Sequence, residues 1–209
     1  MELFSYFRSS AAYRLRIAFN LKGIEHNIKP VNLLKAEHKS EAYLAINPQG
    51  LVPALKLADG RVLTQSTAIL EYLESTQAST PLLPSDPFDA AIVRSWVNQI
   101  ACDIHPVNNL RILKYLSGEL GVEEESKNNW YKHWIELGFT ALEKQISEGP
   151  FCFGDTVSLA DVYLVPQVYN AKRFNVDMSQ FPKISAIYDH CNSLDAFIQA
   201  MPENQIDAP

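Results

Sequence analysis

The sequence predicts two domains, an α/β domain of order βαβ-ββα over 1–80 and an all-helical domain over 89–209, joined by residues 81–88. Three observations predict this. Short apolar runs alternate with helical spacings up to about residue 75, with the hairpin signal Asp59-Gly60 among them. Residues 76–88 hold Pro81, Pro84 and Pro87 among small polar residues, the composition of a linker. From Phe88 onward the period-two alternation of strands is absent and apolar residues recur at helical spacing.

Residues 3–6 read as a first strand. Ser9 and Ser10 then precede Ala12, Leu15, Ala18 and Phe19 at helical spacing, and Gly23 stands where a helix end favours a left-handed residue. Residues 27–33 read as a second strand and 39–46 as a short helix ended by Asn47-Pro48. Residues 51–57, the Asp59-Gly60 turn and 62–63 form an expected antiparallel hairpin, followed by a helix over 66–75 with Ser66 at its cap. The order βαβ then ββα is the thioredoxin arrangement. In the second half, helices are expected at 88–117, 126–147, 159–171 and 183–200. Pro106 and Pro166 fall inside the first and third of these and should kink or break them. Ser158-Leu159-Ala160-Asp161 is a capping-box-like start, which gives Asp161 a folding role and no catalytic one.

A chain of 209 residues with 47% hydrophobic content can bury an ordinary globular core. Its net charge of −6 argues against nucleic acid or an acidic membrane as partner, and no run of about 18 apolar residues predicts a membrane span. No secretory leader is read at the N-terminus. The cysteines, Cys102, Cys152 and Cys191, are odd in number and lack metal-ligand or Cys-x-x-Cys spacing. No metal and a reducing, cytoplasmic setting are expected.

The helix start at Ser9 and Ser10 exposes unpaired N–H groups and the positive end of the macrodipole, with Arg8, Arg14 and Arg16 close in sequence. Such a place holds an anion. The serines are either N-caps alone or hydroxyl donors to a sulfur anion, because helix N-termini and cations lower thiol pKa values. Each unit of lowering is about 1.4 kcal/mol in favour of thiolate. No cysteine of the chain lies near in sequence, so a thiolate would arrive with a ligand. Val52-Pro53 is either an ordinary strand start or a cis bond that opens a backbone edge to an extended peptide. Gln65-Ser66 is a second helix start able to meet a carboxylate. Around Pro106 stand His105, Asn109 and Arg111, and a guanidinium can hold a carboxylate bidentately.

The run Tyr6-Phe7-Arg8-Ser9-Ser10-Ala11-Ala12-Tyr13-Arg14-Leu15-Arg16 resembles the signature of zeta-class glutathione transferases, Ser-Ser-Cys, any residue, then Trp-Arg-Val-Arg. Ala11 stands at the cysteine position and Tyr13 at the tryptophan position, so that cysteine has no role here. Gln65-Ser66-Thr67-Ala68-Ile69 is similar to the segment that holds the γ-glutamyl carboxylate, and Asn170-Ala171-Lys172-Arg173-Phe174 is similar to the family's Asn-Ala-Glu-Arg-Phe. The segment 103–111 resembles bacterial members, and the likeness runs from Leu3 to about Phe197.

This resemblance implies the glutathione transferase fold, glutathione as cofactor and a homodimer. It implies Ser9 and Ser10 as catalytic residues, with Ser9 at the thiolate-stabilising position. Glutathione contacts are implied for those two and for His38, Val52, Pro53, Gln65, Ser66, His105 and Asn109. Arg8, Arg111 and Arg173 are implied to hold the substrate. The implied activity is glutathione-dependent cis-trans isomerisation of a small maleyl keto acid, maleylacetoacetate to fumarylacetoacetate in aromatic catabolism. Maleylpyruvate as substrate, a conjugating or peroxide-reducing transferase, and a non-catalytic binding protein are the alternatives.

Overall fold

The structure is a computed structural model that describes residues 1–77 and 79–209; Ala78, in the stretch read as linker, lies outside the described residues. The chain forms two units, Met1–Pro81 together with Asn192–Pro209, and Leu82–Cys191. The sequence reading grouped 89–209, whereas the structure returns the last residues to the first unit. Phe197 and Ala200 are fully buried there, and Asn20 Nδ2 donates to Ala196 O at 2.9 Å.

In the first unit, strands β1 (Glu2–Ser5), β2 (Asn27–Pro30), β3 (Ala54–Lys56) and β4 (Val62–Thr64) form one sheet in the order β2-β1-β3-β4. β1 pairs parallel with β2, Leu3 opposite Ile28, and antiparallel with β3, Phe4 opposite Ala54. β3 pairs antiparallel with β4, Ala54 opposite Thr64. Helix α1 (Ser10–Lys22) makes the crossover between the parallel strands and ends at Gly23, whose φ of 63° is the left-handed value expected of a terminal glycine. Helix α3 (Ser66–Thr76) packs against α1. Leu3, Leu15, Phe19, Leu55, Ile69 and Leu73 are fully buried between helices and sheet, each contributing about 1.5–3 kcal/mol of apolar burial.

The helix expected at 39–46 is shorter: a 3₁₀ turn, Glu37–Lys39, then α2 (Glu41–Leu44). Ser40 caps α2 by accepting from Tyr43 N, and the Tyr43 hydroxyl donates to Leu51 O at 2.6 Å. The far end of α1 is tied to α3 by the buried Lys22 ammonium, which pairs with Glu74 at 2.7 Å and donates to the carbonyls of Gln77 and Thr80. A buried ammonium is tolerated because its donors are used.

The second unit is helical. Asp86 caps α4 (Pro87–Asn98), with Pro87 at the first helical position, where its missing N–H costs nothing. The single helix expected over 88–117 is in fact four pieces: α4, a π-helical turn (Gln99–Ile104), a 3₁₀ turn (Pro106–Asn108) and α5 (Leu110–Gly118). Pro106 has no N–H to continue the ladder, His105 N reaches back to Ile100 O at 2.9 Å, and Asn109 restarts a helix as its cap. Helix α6 (Glu124–Gln145) supplies Ile135 and Phe139 to the core.

Helix α7 (Leu159–Arg173) runs through Pro166 without the local break that the sequence allowed for. It is buried along most of its length and packs on both α4 and α8 (Pro182–Cys191), which hold it through the proline. Its start carries the expected capping box, Asp161 accepting from Ser158 N and Cys152 N, each at 2.7 Å. The helix expected over 183–200 is two, α8 and α9 (Asp195–Ile198), because Leu194 takes an extended conformation, φ −94° and ψ 134°. Cys152 and Cys191 are buried and Cys102 is exposed.

Candidate functional site

β1 and β4 each run antiparallel to β3, so they end at the same edge of the sheet, where β3 begins. α1 follows β1 and α3 follows β4, which places both helix starts on that edge, beside the cis Val52–Pro53 bond that precedes β3. Topology therefore brings together Ser9, Pro53 and Ser66, which are far apart in sequence.

Ser9 is the N-cap of α1: its Oγ accepts from Ala12 N at 3.3 Å, and its own N–H donates to Tyr6 O at 2.9 Å. A hydroxyl has one donor and two acceptor sites, so capping leaves the Ser9 O–H available to an arriving anion. The two readings of this serine are compatible. Ser10 is the first helical residue and is buried. Ala11 presents only a methyl group where a thiol would be reactive.

The charge expected around this helix start is distributed differently. Arg14 is buried and its Nη1 donates to Ser66 Oγ at 3.2 Å, which links the two helix starts. Arg16 is buried behind the turn: Nε donates to Ala200 O at 3.0 Å, Nη1 to Ser5 Oγ at 3.1 Å and Nη2 to Phe7 O at 2.9 Å. Arg8 alone stays partly open, its Nη2 donating to the Tyr6 hydroxyl and its guanidinium 5.1 Å from the Phe7 ring.

At the second helix start Ser66 is not the cap, as expected from sequence, but the first helical residue; Gln65 occupies the cap without a side-chain cap bond. Gln65 has φ 70° and ψ 116°, a conformation that costs a non-glycine residue about 1–3 kcal/mol and that concentrates at ligand sites. Its Nε2 donates to Gln49 Oε1 at 2.8 Å. Next to Gln49, Gly50 has φ 60°, and a side chain there would meet His38 O at 3.0 Å. His38 itself is half-buried in its 3₁₀ turn. Two helix starts, a strained cap and a spare hydroxyl suit a peptide with anionic groups at both a sulfur and a carboxylate.

In the helical unit His105 joins the π-helical and 3₁₀ turns, and Asn109 is engaged as the α5 cap, its Oδ1 accepting from Arg111 N at 3.1 Å. Residues that the sequence reading did not single out hold this segment. Trp130 Nε1 donates to Val107 O at 2.9 Å, and Asn108 Nδ2 donates to Tyr131 O at 3.1 Å. Tyr131 in turn stacks on Phe174, beside Arg173. Burial pushes the Tyr131 phenol pKa up, with the Arg173 charge opposing. Trp and Tyr side by side on one helix was the available signal, but on a buried stripe it reads as core. Arg111 and Arg173 are exposed, and Arg173 lies 5.0 Å from the Phe174 ring. Among the described residues, none of Arg8, Arg111 and Arg173 has a carboxylate partner, whereas Arg61 is paired with Asp59.

Among the described residues no group of His, Cys, Asp and Glu could hold a metal ion, and no helix is long and apolar enough to cross a membrane. Cavities of about 540 and 260 Å³, lined by Met1 and Asn27 with His26 or Lys56, lie at the opposite sheet edge from Ser9 and Ser66.

Comparison with known proteins adds the following. The family described as "Glutathione S-transferase, N-terminal domain" matches residues 8–76, and "Glutathione S-transferase, C-terminal domain" matches 135–190. The maleylacetoacetate isomerase of Pseudomonas aeruginosa is 46% identical over 211 residues, covering 100% of this chain and 99% of that protein. The holo structure of a maleyl pyruvate isomerase, a bacterial glutathione-S-transferase in zeta class, superposes with a TM-score of 0.97 at 45% identity, covering 100% of both chains. A maleylacetoacetate isomerase from Methylobacterium extorquens AM1, solved with bound malonate and glutathione, superposes with a TM-score of 0.96 at 38% identity, again over 100% of both chains.

Proposed function

The chain belongs to the glutathione S-transferase family, and on that premise we propose that it is a glutathione-dependent cis-trans isomerase converting maleylacetoacetate to fumarylacetoacetate. The observation that carries the substrate class is the set of arginines without acid partners, Arg8, Arg111 and Arg173. An apolar electrophile gives such guanidinium groups nothing to bind, whereas a keto acid with two carboxylates does.

Bound glutathione supplies a thiolate that adds to the cis double bond conjugated to a carbonyl, makes that bond single and free to rotate, and leaves to restore it in the trans form. The chain's part is to hold charge. Ser9 donates its O–H to the sulfur while the α1 start adds the field of its unpaired N–H groups, both favouring thiolate. Ser10 supports that start, and Val52, Pro53, Gln65, Ser66 and His38 receive the peptide, with Ser66 and the α3 start at its γ-glutamyl carboxylate. Arg8, Arg111 and Arg173 hold the substrate carboxylates and the negative charge that grows on its carbonyl oxygen during addition, an electrostatic contribution of the oxyanion type. His105 and Asn109 complete the glutathione contacts. The assembly is a homodimer in the cytoplasm, with residues 1–80 in the glutathione-binding unit and the helical residues of 89–191 as the substrate-binding one.

The test is a spectrophotometric isomerisation assay on maleylacetoacetate and maleylpyruvate, each with and without glutathione. The expected result is glutathione-dependent turnover, faster on maleylacetoacetate. Faster turnover of maleylpyruvate replaces the substrate and keeps the chemistry, and turnover of neither by a protein that binds glutathione refutes the isomerase reading. Light scattering on the eluting protein checks the dimer.

A further inference from the structure

We infer that the C-terminal segment 192–209 is a latch on the turn that presents Ser9, and that Asp207 is a positioning residue for the thiolate site. This rests on the reading of Ser9 given above. The turn runs from Tyr6 to Ser9, closed by Ser9 N donating to Tyr6 O at 2.9 Å. Within it both backbone polar groups of Phe7 are taken by side chains from outside the turn. Phe7 N donates to Asp207 Oδ2 at 2.9 Å, and Phe7 O accepts from Arg16 Nη2 at 2.9 Å.

Arg16 is in turn fixed by the same C-terminal segment, because its Nε donates to Ala200 O at 3.0 Å. The segment is itself well held. Phe197 and Ala200 are fully buried, and Gln205 Nε2 donates to the carbonyls of Gln199 and Met201 at 2.9 and 2.8 Å. Ala208 N donates to Gln205 O at 3.0 Å, closing a turn that carries Asp207. The latch therefore grips the turn at the residue two before Ser9, through the two peptide units that flank the Phe7 Cα. A hydroxyl that must meet a sulfur anion at hydrogen-bond distance depends on that grip, since small misplacements of a positioned donor lose much of its effect.

The carboxylate charge of Asp207 and its acceptor role predict opposite effects, which makes the inference testable. Removing a negative charge near the turn would by itself lower the pKa of a bound thiol, whereas loosening the Ser9 donor raises it. Asp207→Ala and Asp207→Asn are compared with the unaltered protein by amide hydrogen exchange across 6–12 and by ultraviolet titration of bound glutathione. Asp207→Ala is expected to speed exchange in the turn on the order of tenfold, raise the thiol pKa by about one unit and lower kcat about 10- to 100-fold. Asp207→Asn, which keeps an oxygen acceptor, restores most of all three. Unchanged exchange at 6–12 in Asp207→Ala overturns the latch. Faster exchange with an unmoved thiol pKa and kcat overturns the positioning role. Ser9→Ala run in parallel separates the two readings: if it leaves the thiol pKa unmoved, the reading of Ser9 fails, and the exchange result still decides the latch.

Discussion

Tyr131 and Phe174 stack nearly parallel, ring centroids 3.7 Å apart at an interplanar angle of 15°, and the carbonyl of the same Tyr131 receives the side chain of Asn108. One residue of α6 therefore braces both the segment that leads to Arg111 and the helix end that bears Arg173.

Replacing Tyr131 with leucine removes the stack and leaves space in the helical unit. A loss of about 2–4 kcal/mol of unfolding free energy is expected in urea titrations, with a raised KM for the keto acid and a smaller loss of affinity for glutathione through the Asn109 segment. Tyr131→Phe keeps the ring and should stay within about 1 kcal/mol of the unaltered protein. Equal losses in the two variants would locate the stability in the phenol oxygen instead of the ring.

Ser9 has a capping role and a donor role, and two substitutions pull them apart. Ser9→Ala should cost about 1 kcal/mol of stability and reduce kcat about 100-fold or more. Ser9→Gly should recover most of the stability, since glycine is tolerated at an N-cap, and none of the activity. Thermal melts and turnover measured on both variants check this.

Asp161 sits under the start of α7 and accepts from Cys152 N, Ser158 N and Ser158 Oγ. Burial pushes its carboxyl pKa up, while the donors from Cys152 and Ser158 pull it down. Asp161→Ala strands buried donors and should destabilise the protein by about 3–5 kcal/mol, enough to lower soluble yield. Chemical denaturation of Asp161→Ala against Asp161→Asn measures it, with the asparagine variant expected to lose less.

His26 packs against Phe19, ring centroids 4.4 Å apart and tilted by 38°, and burial holds its pKa below the ordinary 6.5, with the carbonyl of Ile24 opposing. The unfolded chain therefore takes up this proton first as pH falls. Stability is unaffected by His26 well above pH 6.5 and declines as pH drops through 6.5 toward the lower folded value. Unfolding free energies measured from pH 8 to pH 5 should show that decline, and a His26→Asn variant should show a shallower one.

Most of the sheet, the extent of α1 and the start of α7 were legible because their signals are local: Gly23 after an apolar helical run, Asp59-Gly60 between strands, Ser158 with Asp161. What local pattern cannot carry is partner choice. Arg14 and Arg16 both look like charge offered to the α1 start, yet one reaches Ser66 and the other Ala200, at separations of 52 and 184 residues. Apolar periodicity also passes smoothly over 88–117, since it registers which face is apolar and not whether the backbone ladder continues past Pro106. At Pro166 the helix continues: burial on both sides outweighed the lost hydrogen bond. Gln65 at φ 70° had no signal at all, because its composition is that of any helix start.

The return of Asn192–Pro209 to the first unit has a consequence for how the protein is made. A ribosome delivers the turn after β1 long before its partners Ala200 and Asp207, at separations of 184 and 200 residues. During elongation the guanidinium of Arg16 and the N–H of Phe7 lack those acceptors, so the emerging first unit can collapse around its sheet but cannot set the Ser9 turn. Chains stalled before residue 200 should accordingly be folded enough to resist protease across the sheet while failing to retain glutathione resin, and emergence of residues 200–207 would switch binding on.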